Sequence, residues 1–375
     1  MDDEARTRSG LDPVHRREPR NRLPWGRRWP PRHARHGDGP GQGRARPAYA
    51  ALDLGTNNCR LLVARPAREG FRVIDAFSRI IRLGEGMAAS GRLGDPAIGR
   101  AIEALSICRD KMLHRGVTRA RLIATEACRS AENGLEFRDR VKREVGLELE
   151  IVDRETEAAL AAIGCTPLMD PQSEGVILFD IGGGSSEIVL LGRNRPAAGG
   201  PPEPYIRGWA SLPIGVVTLA ERYGGVQVDR ALFAAMVAEV GEHVKRFAAE
   251  CCDGVALDTM HLLGTSGTVT TIAGVHLRLK RYDRRQVDGC WMRDDEVTTV
   301  LEELLAMNYE ERVASPCIGS ERADLVLAGC AILEAIREVF PCTRLRVADR
   351  GLREGILVEL MRADGVWAAA PGQAP

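Results

Sequence analysis

Two stretches of the chain repeat one design, and that repetition restricts the fold more than any other feature. Val176–Leu191 reads as an apolar strand, a tight polar turn and a second apolar strand. Its turn holds Asp180, three glycines (Gly182, Gly183, Gly184), two hydroxyls (Ser185, Ser186) and Glu187. Roughly 127 residues earlier, Tyr49–Ala64 has the same order: apolar strand, Asp53, one apolar residue, Gly55, small polar residues, apolar strand. A third small-residue turn, Gly264–Thr268, follows the apolar run Met260–Leu263. Two matching Asp-x-Gly hairpins imply a duplicated unit whose halves face each other across a cleft.

The turns carry a definite chemistry. Glycine permits φ values that other residues resist, so successive N–H groups can point inward as an anion-binding nest. Serine hydroxyls add donors, while Asp and Glu are acceptors that hold hard cations. The sum is a cradle for a phosphate and its Mg²⁺. Taken alone, either stretch also reads as a glycine-rich hairpin with a solvated Asp; the repetition favours the phosphate reading.

Composition narrows the alternatives. With 375 residues the chain has room for two domains. The formal net charge is zero, yet residues 1–47 carry twelve arginines, no lysine and six acids, leaving that tail near +6. Rich in Arg, Pro and Gly, it is expected to stay a disordered, solvated extension. No apolar run approaches the ~18 residues of a membrane span, and nothing in the charge balance calls for nucleic acid. Ten cysteines include no Cys-x-x-Cys pair, which argues against zinc. No secretory signal is evident, so free thiols in a reducing cytoplasm are expected. The seven histidines do not cluster, and the Gly-x-x-x-x-Gly-Lys-Ser/Thr loop of P-loop nucleotidases is absent.

Along the chain, a third strand is expected over Phe71–Ile81. A helix should start at Asp95-Pro96 and run to about His114. Further strands fall on Arg121–Thr125 and Leu147–Val152, with a helix to about Val145 between them. An alanine-rich helix over Glu155–Gly164 should sit at the domain junction. The second half gives a strand over Tyr205–Leu212, helices over Val216–Tyr223, Asp229–Glu250 and Val269–Leu277, and a polar loop over 280–292. Helices over Asp294–Met307 and Arg322–Val339, a strand Leu345–Val347 and a helix Leu352–Met361 complete it. Three strands followed by alternating helices, twice over, give an α/β fold in two similar domains.

These motifs resemble the exopolyphosphatase/guanosine pentaphosphate phosphatase (Ppx/GppA) family, in family order from Tyr49 to Met361. The family sits among the acetate and sugar kinases, heat-shock ATPases and actin. The resemblance implies two actin-like, ribonuclease-H-like domains, 48–165 and 166–364, around a central cleft. The last helix is expected to return to the first domain, and residues 365–375 should fray. It implies the short form, without a C-terminal His-Asp-type domain. The first phosphate loop then falls on Gly55, Thr56, Asn57, Asn58 and Arg60, with Asn58 where the family often has Ser. The second falls on Gly182, Gly183, Gly184, Ser185 and Ser186, and the third on Gly264, Thr265, Ser266, Gly267 and Thr268. Asp53, Asp180 and Glu187 would hold Mg²⁺, with room for a monovalent cation such as K⁺. Arg129 would grip phosphoryl oxygens. Glu157 would be the catalytic base, ionised at neutral pH with an ordinary pKa of ~4.3; Glu155 competes for that role. The activity implied is release of terminal phosphate from polyphosphate, short chains favoured, by a cytoplasmic homodimer. Guanosine pentaphosphate 5′-phosphatase, a non-catalytic alarmone sensor and a kinase of the same superfamily remain alternatives.

Overall fold

The computed structural model describes residues 47–194 and 203–367. The arginine-rich tail, apart from Pro47, and residues 368–375 lie outside the described residues. Two mixed sheets carry the fold. The first has the order β3-β2-β1-β4-β5, with β1 at Ala48–Leu54, β2 at Asn58–Pro66, β3 at Phe71–Ile80, β4 at Val117–Ala124 and β5 at Glu150–Ile151. The second comprises β6 (Gly175–Ile181), β7 (Ser186–Asn194), β8 (Glu203–Leu212), β9 (Met260–Thr265), β10 (Trp291–Arg293) and β11 (Arg344–Ala348). Its order is β10-β11-β9-β6-β7-β8, so the first five-strand pattern recurs with one added edge strand.

The two hairpins explain why each sheet is built around its first strand. β1 pairs antiparallel with β2 and parallel with β4; β6 pairs antiparallel with β7 and parallel with β9. Strands flanked on both sides and covered on both faces need continuous apolar runs. β1 and β6 are buried throughout except at Asp53 and Asp180. Each acid is the next-to-last residue of its strand, so the polar exceptions fall together at one end. In the ladders Asp53 faces Arg60 and Asp180 faces Glu187.

The helix Arg154–Cys165 joins the halves. Leu160 packs with Tyr49, Ala51 and Ile123 of the first sheet, while Ala158, Ala162 and Cys165 pack with Val176, Leu178 and Val189 of the second. The helix Leu352–Ala363 lies against β1, burying Leu352, Ile356, Leu357 and Leu360 in the same cluster as Leu160. The helix expected over Asp95–His114 keeps those bounds, with Gly94 as its cap and Asp95 adding charge to the first turn. Other boundaries differ from the sequence-based expectation. The strand expected over Leu147–Val152 shortens to Glu150–Ile151. The 280–292 loop contains a turn of helix, Arg284–Val287, and the start of β10. No described helix is long and apolar enough to cross a membrane.

Candidate active site

The acidic ends of β1 and β6 open on one cavity. Its wall holds Asp53, Gly55, Thr56, Asn57, Asn58 and Arg60 from the first hairpin, and Asp180, Gly182, Gly183, Gly184, Ser185 and Glu187 from the second. Glu157 reaches it from the joining helix, and Ser266, Gly267 and Thr268 from the turn after β9. Four expected residues do not line it. Ser186 is buried, donating to the Ile214 carbonyl at 2.7 Å. Gly264 lies in β9 against Phe179. Thr265 donates to the Arg350 carbonyl at 2.7 Å. Arg129 stands behind Glu157.

Glycine serves the second turn through space rather than through φ. None of Gly182, Gly183 and Gly184 has a positive φ. A Cβ on Gly183 would come within 2.9 Å of Thr56 Cβ, and one on Gly184 within 2.8 Å of Thr56 Oγ1. Their bare backbones let the two hairpins touch across the cleft. The third turn is the strained one: Ser266 has φ 113, a region non-glycine residues resist, and its Oγ accepts from the Thr268 N–H at 3.2 Å.

Glu157 is held at two levels. Asp153 caps the helix, its side chain accepting from Thr156 N–H at 2.7 Å. The Arg129 guanidinium donates to Glu157 Oε2 at 3.1 Å, to the Val152 carbonyl at 2.7 Å and to Glu126. Glu126, buried and on the cavity wall, also accepts from Arg154 at 3.0 Å. Hydrogen bonds from Ser130, Arg129 and Arg154 outweigh its burial and hold its pKa down. Four of the five Arg129 N–H donors are therefore engaged by protein acceptors. The guanidiniums lining the cavity are those of Arg60 and Arg322. Burial and the like charge of Arg60 push the Arg322 pKa down.

Four acids of the cavity, unlike Glu126, are destabilised as anions. Burial raises Asp53, with Arg60 opposing it. Burial and the Asp53 charge raise Asp180 to about 6 against Arg60. Burial and Asp180 raise Glu187 to about 7, although Ser185 and Ser211 donate to Glu187 Oε1 at 2.8 and 2.9 Å. Burial and Glu187 push Glu157 well above the ordinary range that the sequence suggested, with Arg129 opposing. Asn57 Oδ1 and Asn58 Oδ1 are buried acceptors without a partner. Clustered acids with raised pKa values and orphan oxygens fit a hard, oxygen-liking cation. No ready-made group of three or more ligand side chains exists among the described residues. The donors therefore suit an ion that keeps water and substrate oxygens in its shell.

The sequence model of the Ppx/GppA phosphatase family matches residues 62–364. The chain belongs to that family. Among Ppx/GppA relatives, it is 28% identical to exopolyphosphatase 2 of Mycobacterium tuberculosis (strain H37Rv), covering 83% of this chain and 98% of that protein. It is 26% identical to the guanosine-5′-triphosphate,3′-diphosphate pyrophosphatase of Aeromonas salmonicida, covering 84% of this chain but only 60% of the relative. The crystal structure of the Aquifex aeolicus Ppx/GppA member superposes with a TM-score of 0.68 at 28% identity, over 85% of this chain and 98% of that one. Ppx/GppA membership supports phosphatase activity on polyphosphate or guanosine pentaphosphate. The two-sheet α/β architecture agrees with the Aquifex structure.

In this Ppx/GppA protein an ion pair closes the cleft beside the cavity. Arg82 follows β3 with φ 46. Its guanidinium forks onto Asp324, with Nη1 to Oδ2 at 2.8 Å and Nη2 to Oδ1 at 2.9 Å, and reaches the Glu321 carbonyl at 3.1 Å. Arg322, two residues from Asp324, is thereby tied to the first hairpin's side of the cleft. We predict that Arg82→Ala raises KM about 5–10-fold with a smaller change in kcat, and costs about 1 kcal/mol of stability. Steady-state kinetics and urea titration check it; an unchanged KM would show that the pair does not set the cleft.

Proposed function

We propose that the chain is a Mg²⁺-dependent exopolyphosphatase releasing terminal orthophosphate from inorganic polyphosphate, with short chains favoured. The observation that carries this is Glu157 sharing one cavity with two acidic hairpins and two guanidiniums. Support for polyphosphate comes from the Mycobacterium relative, which the chain matches almost end to end. The Aeromonas name favours guanosine pentaphosphate as the second reading. Phosphate release from tripolyphosphate, long polyphosphate and guanosine pentaphosphate separates them. Faster turnover of the nucleotide than of any polyphosphate would overturn the first.

The residues divide the work as phosphoryl transfer requires, where positioning and electrostatics dominate. Arg60 and Arg322 hold the phosphoryl oxygens with planar forks. The N–H groups of Gly183, Gly184 and Ser185 serve the same oxygens. Glu157 orients the attacking water and accepts its proton, while the bridging oxygen leaves with the rest of the chain. Arg129 and Glu126 fix Glu157 in place. Asp53, Asp180 and Glu187 are the residues that would hold Mg²⁺, which when bound neutralises charge on the phosphoryl group. We further propose lobes at 48–165 and 166–364, each holding one sheet, and a homodimer in the cytoplasm. Gel filtration tests the dimer.

The raised carboxyl pKa values set the sign of a pH effect. Asp180 at about 6 and Glu187 at about 7 lie above their unfolded values. Their contribution to stability is present below the unfolded pKa and is lost as pH rises through 6 to 7. A bound cation reverses that loss. We predict that Mg²⁺ raises Tm strongly at about pH 8 and hardly at about pH 5, by competition with protons. Equal Mg²⁺ shifts at both pH values would remove these acids from the cation site.

A further inference from the structure

At the end of the second sheet away from the cavity, four strands gather a basic and aromatic cluster. His261 is the second residue of β9 and faces Val176, whereas Thr265, before the cavity turn, faces Asp180. Four residues along a strand place His261 about 13 Å from that level. No residue of the cluster lines the cavity.

His261 is fully buried, and neither ring nitrogen has a hydrogen-bond partner. Its ring meets Trp291 at 5.0 Å between centroids, at 62°. Trp291 in turn carries two guanidiniums, with Arg344 at 4.7 Å and Arg346 at 4.6 Å from the ring centre. Arg193, near the end of β7, completes the group. The Nε atoms of Arg193 and Arg346 are buried without partners. A Cβ at Gly289, where φ is 87, would stand 3.3 Å from Arg346 Nη2, so glycine leaves that head uncrowded.

The charges do not balance within the cluster. Among the described residues, the acid paired with the cluster is Asp170, which meets Arg344 at 2.9 Å. Arg193 donates to the Asp170 carbonyl at 2.7 Å. The next acid, Asp288, is engaged by Arg350. Burial, reinforced by the three arginines and opposed by Asp170, lowers His261 to about 4, so the ring is neutral and adds no charge. A net charge near +2, guanidinium donors left over and a stacked aromatic that fixes their planes make a receptor for a doubly charged, tetrahedral oxyanion.

We infer that Arg193, Arg344 and Arg346, ordered on Trp291, form a second binding site for a phosphate-type oxyanion, remote from the cleft. Two sources share that chemistry: free orthophosphate, and a phosphate unit of a polyphosphate chain. Binding is measured by calorimetry and by Trp emission with orthophosphate, tripolyphosphate and long-chain polyphosphate, using wild type, Arg193→Gln/Arg346→Gln and Trp291→Phe. Two phosphate equivalents are expected in wild type. The second should weaken about tenfold or more in the double variant, a loss of directed guanidinium donors. Its emission change should vanish in Trp291→Phe, while tripolyphosphate hydrolysis stays at the wild-type rate. Saturation by orthophosphate identifies free phosphate as the source; occupation by long chains alone identifies the polymer. A single equivalent that the folded double variant binds as well as wild type, or two equivalents retained by that variant, overturns the site. If the double variant does not fold, Arg344→Gln, at a side chain 48% exposed, takes its place. An unweakened second equivalent there overturns it equally. Because orthophosphate is not turned over, failure with that probe leaves the proposed activity untouched.

Discussion

Glu157→Gln is expected to slow phosphate release by about 10²–10⁴-fold, with polyphosphate binding changed by no more than about threefold. The amide keeps the shape of the side chain and can still accept from Arg129 Nη1, which reaches Glu157 Oε2 at 3.1 Å. What it loses is the capacity to take a proton from water. The high pKa of Glu157 sharpens this expectation. Burial and Glu187 disfavour its anion, and a carboxylate whose anion is disfavoured is the stronger proton acceptor. Glu155 provides the control: it does not line the cavity, and Glu155→Gln should stay within about twofold of wild type. Single-turnover kinetics with tripolyphosphate, alongside binding of the same ligand, separate the two effects. Retained turnover in Glu157→Gln would remove the base and revive the competing carboxylates. Lost binding together with lost turnover would mark a structural role. The non-catalytic sensor reading predicts no difference between the variant and wild type, because no phosphate is released by either.

The hairpins were legible because their information is local. An apolar run ending in Asp, one more apolar residue and Gly records both the central strand and its polar tip within a few residues. The helix ending at His114 and the Asp229 cap, which accepts from Leu232 N–H at 2.7 Å, were readable for the same reason. What the sequence hid depends on distant partners. Arg322 was read as the start of a helix; that helix begins at Val326, and the turn before it delivers Arg322 to the cavity. Nothing near Arg322 in sequence signals this, because the cavity it joins is made by residues some 260 positions earlier. Glu126 lies three residues before Arg129, yet its value comes from holding Arg129 and Arg154 together. β10 has three residues, too few for a periodic signal, and exists because β11 offers it an edge. The ionisation of Glu157 was misjudged for a related reason: a reference pKa describes a solvated carboxyl, and only the folded chain reveals how deeply Glu157 is buried beside Glu187.

Gly355→Ala should destabilise the protein by about 3 kcal/mol or more, against the usual sign for such a change. In an unhindered helix, Gly→Ala stabilises by up to about 1 kcal/mol. Gly355 lies in the helix Leu352–Ala363, and a Cβ there would stand 2.0 Å from the Leu160 carbonyl oxygen. Gly164, on the Leu160 helix, has the reciprocal contact: its Cβ would be 2.0 Å from the Gly351 carbonyl oxygen. Both obstacles are backbone, so no rotamer change relieves them; the two helices must separate. One of them carries Glu157 and the other supplies Leu352 to the cavity wall. Separation therefore moves the base as well as the core, and a displacement of about 1 Å at a reacting group costs on the order of 10²-fold in rate. Gly99→Ala is the matched control, since a Cβ at Gly99 meets nothing within 4 Å. It should gain about 0.5–1 kcal/mol with full activity. Denaturant titration of the pair gives opposite signs if backbone contact between these helices is what positions Glu157. A stabilised, fully active Gly355→Ala would show that the helices can part freely and that the base is placed by Arg129 alone.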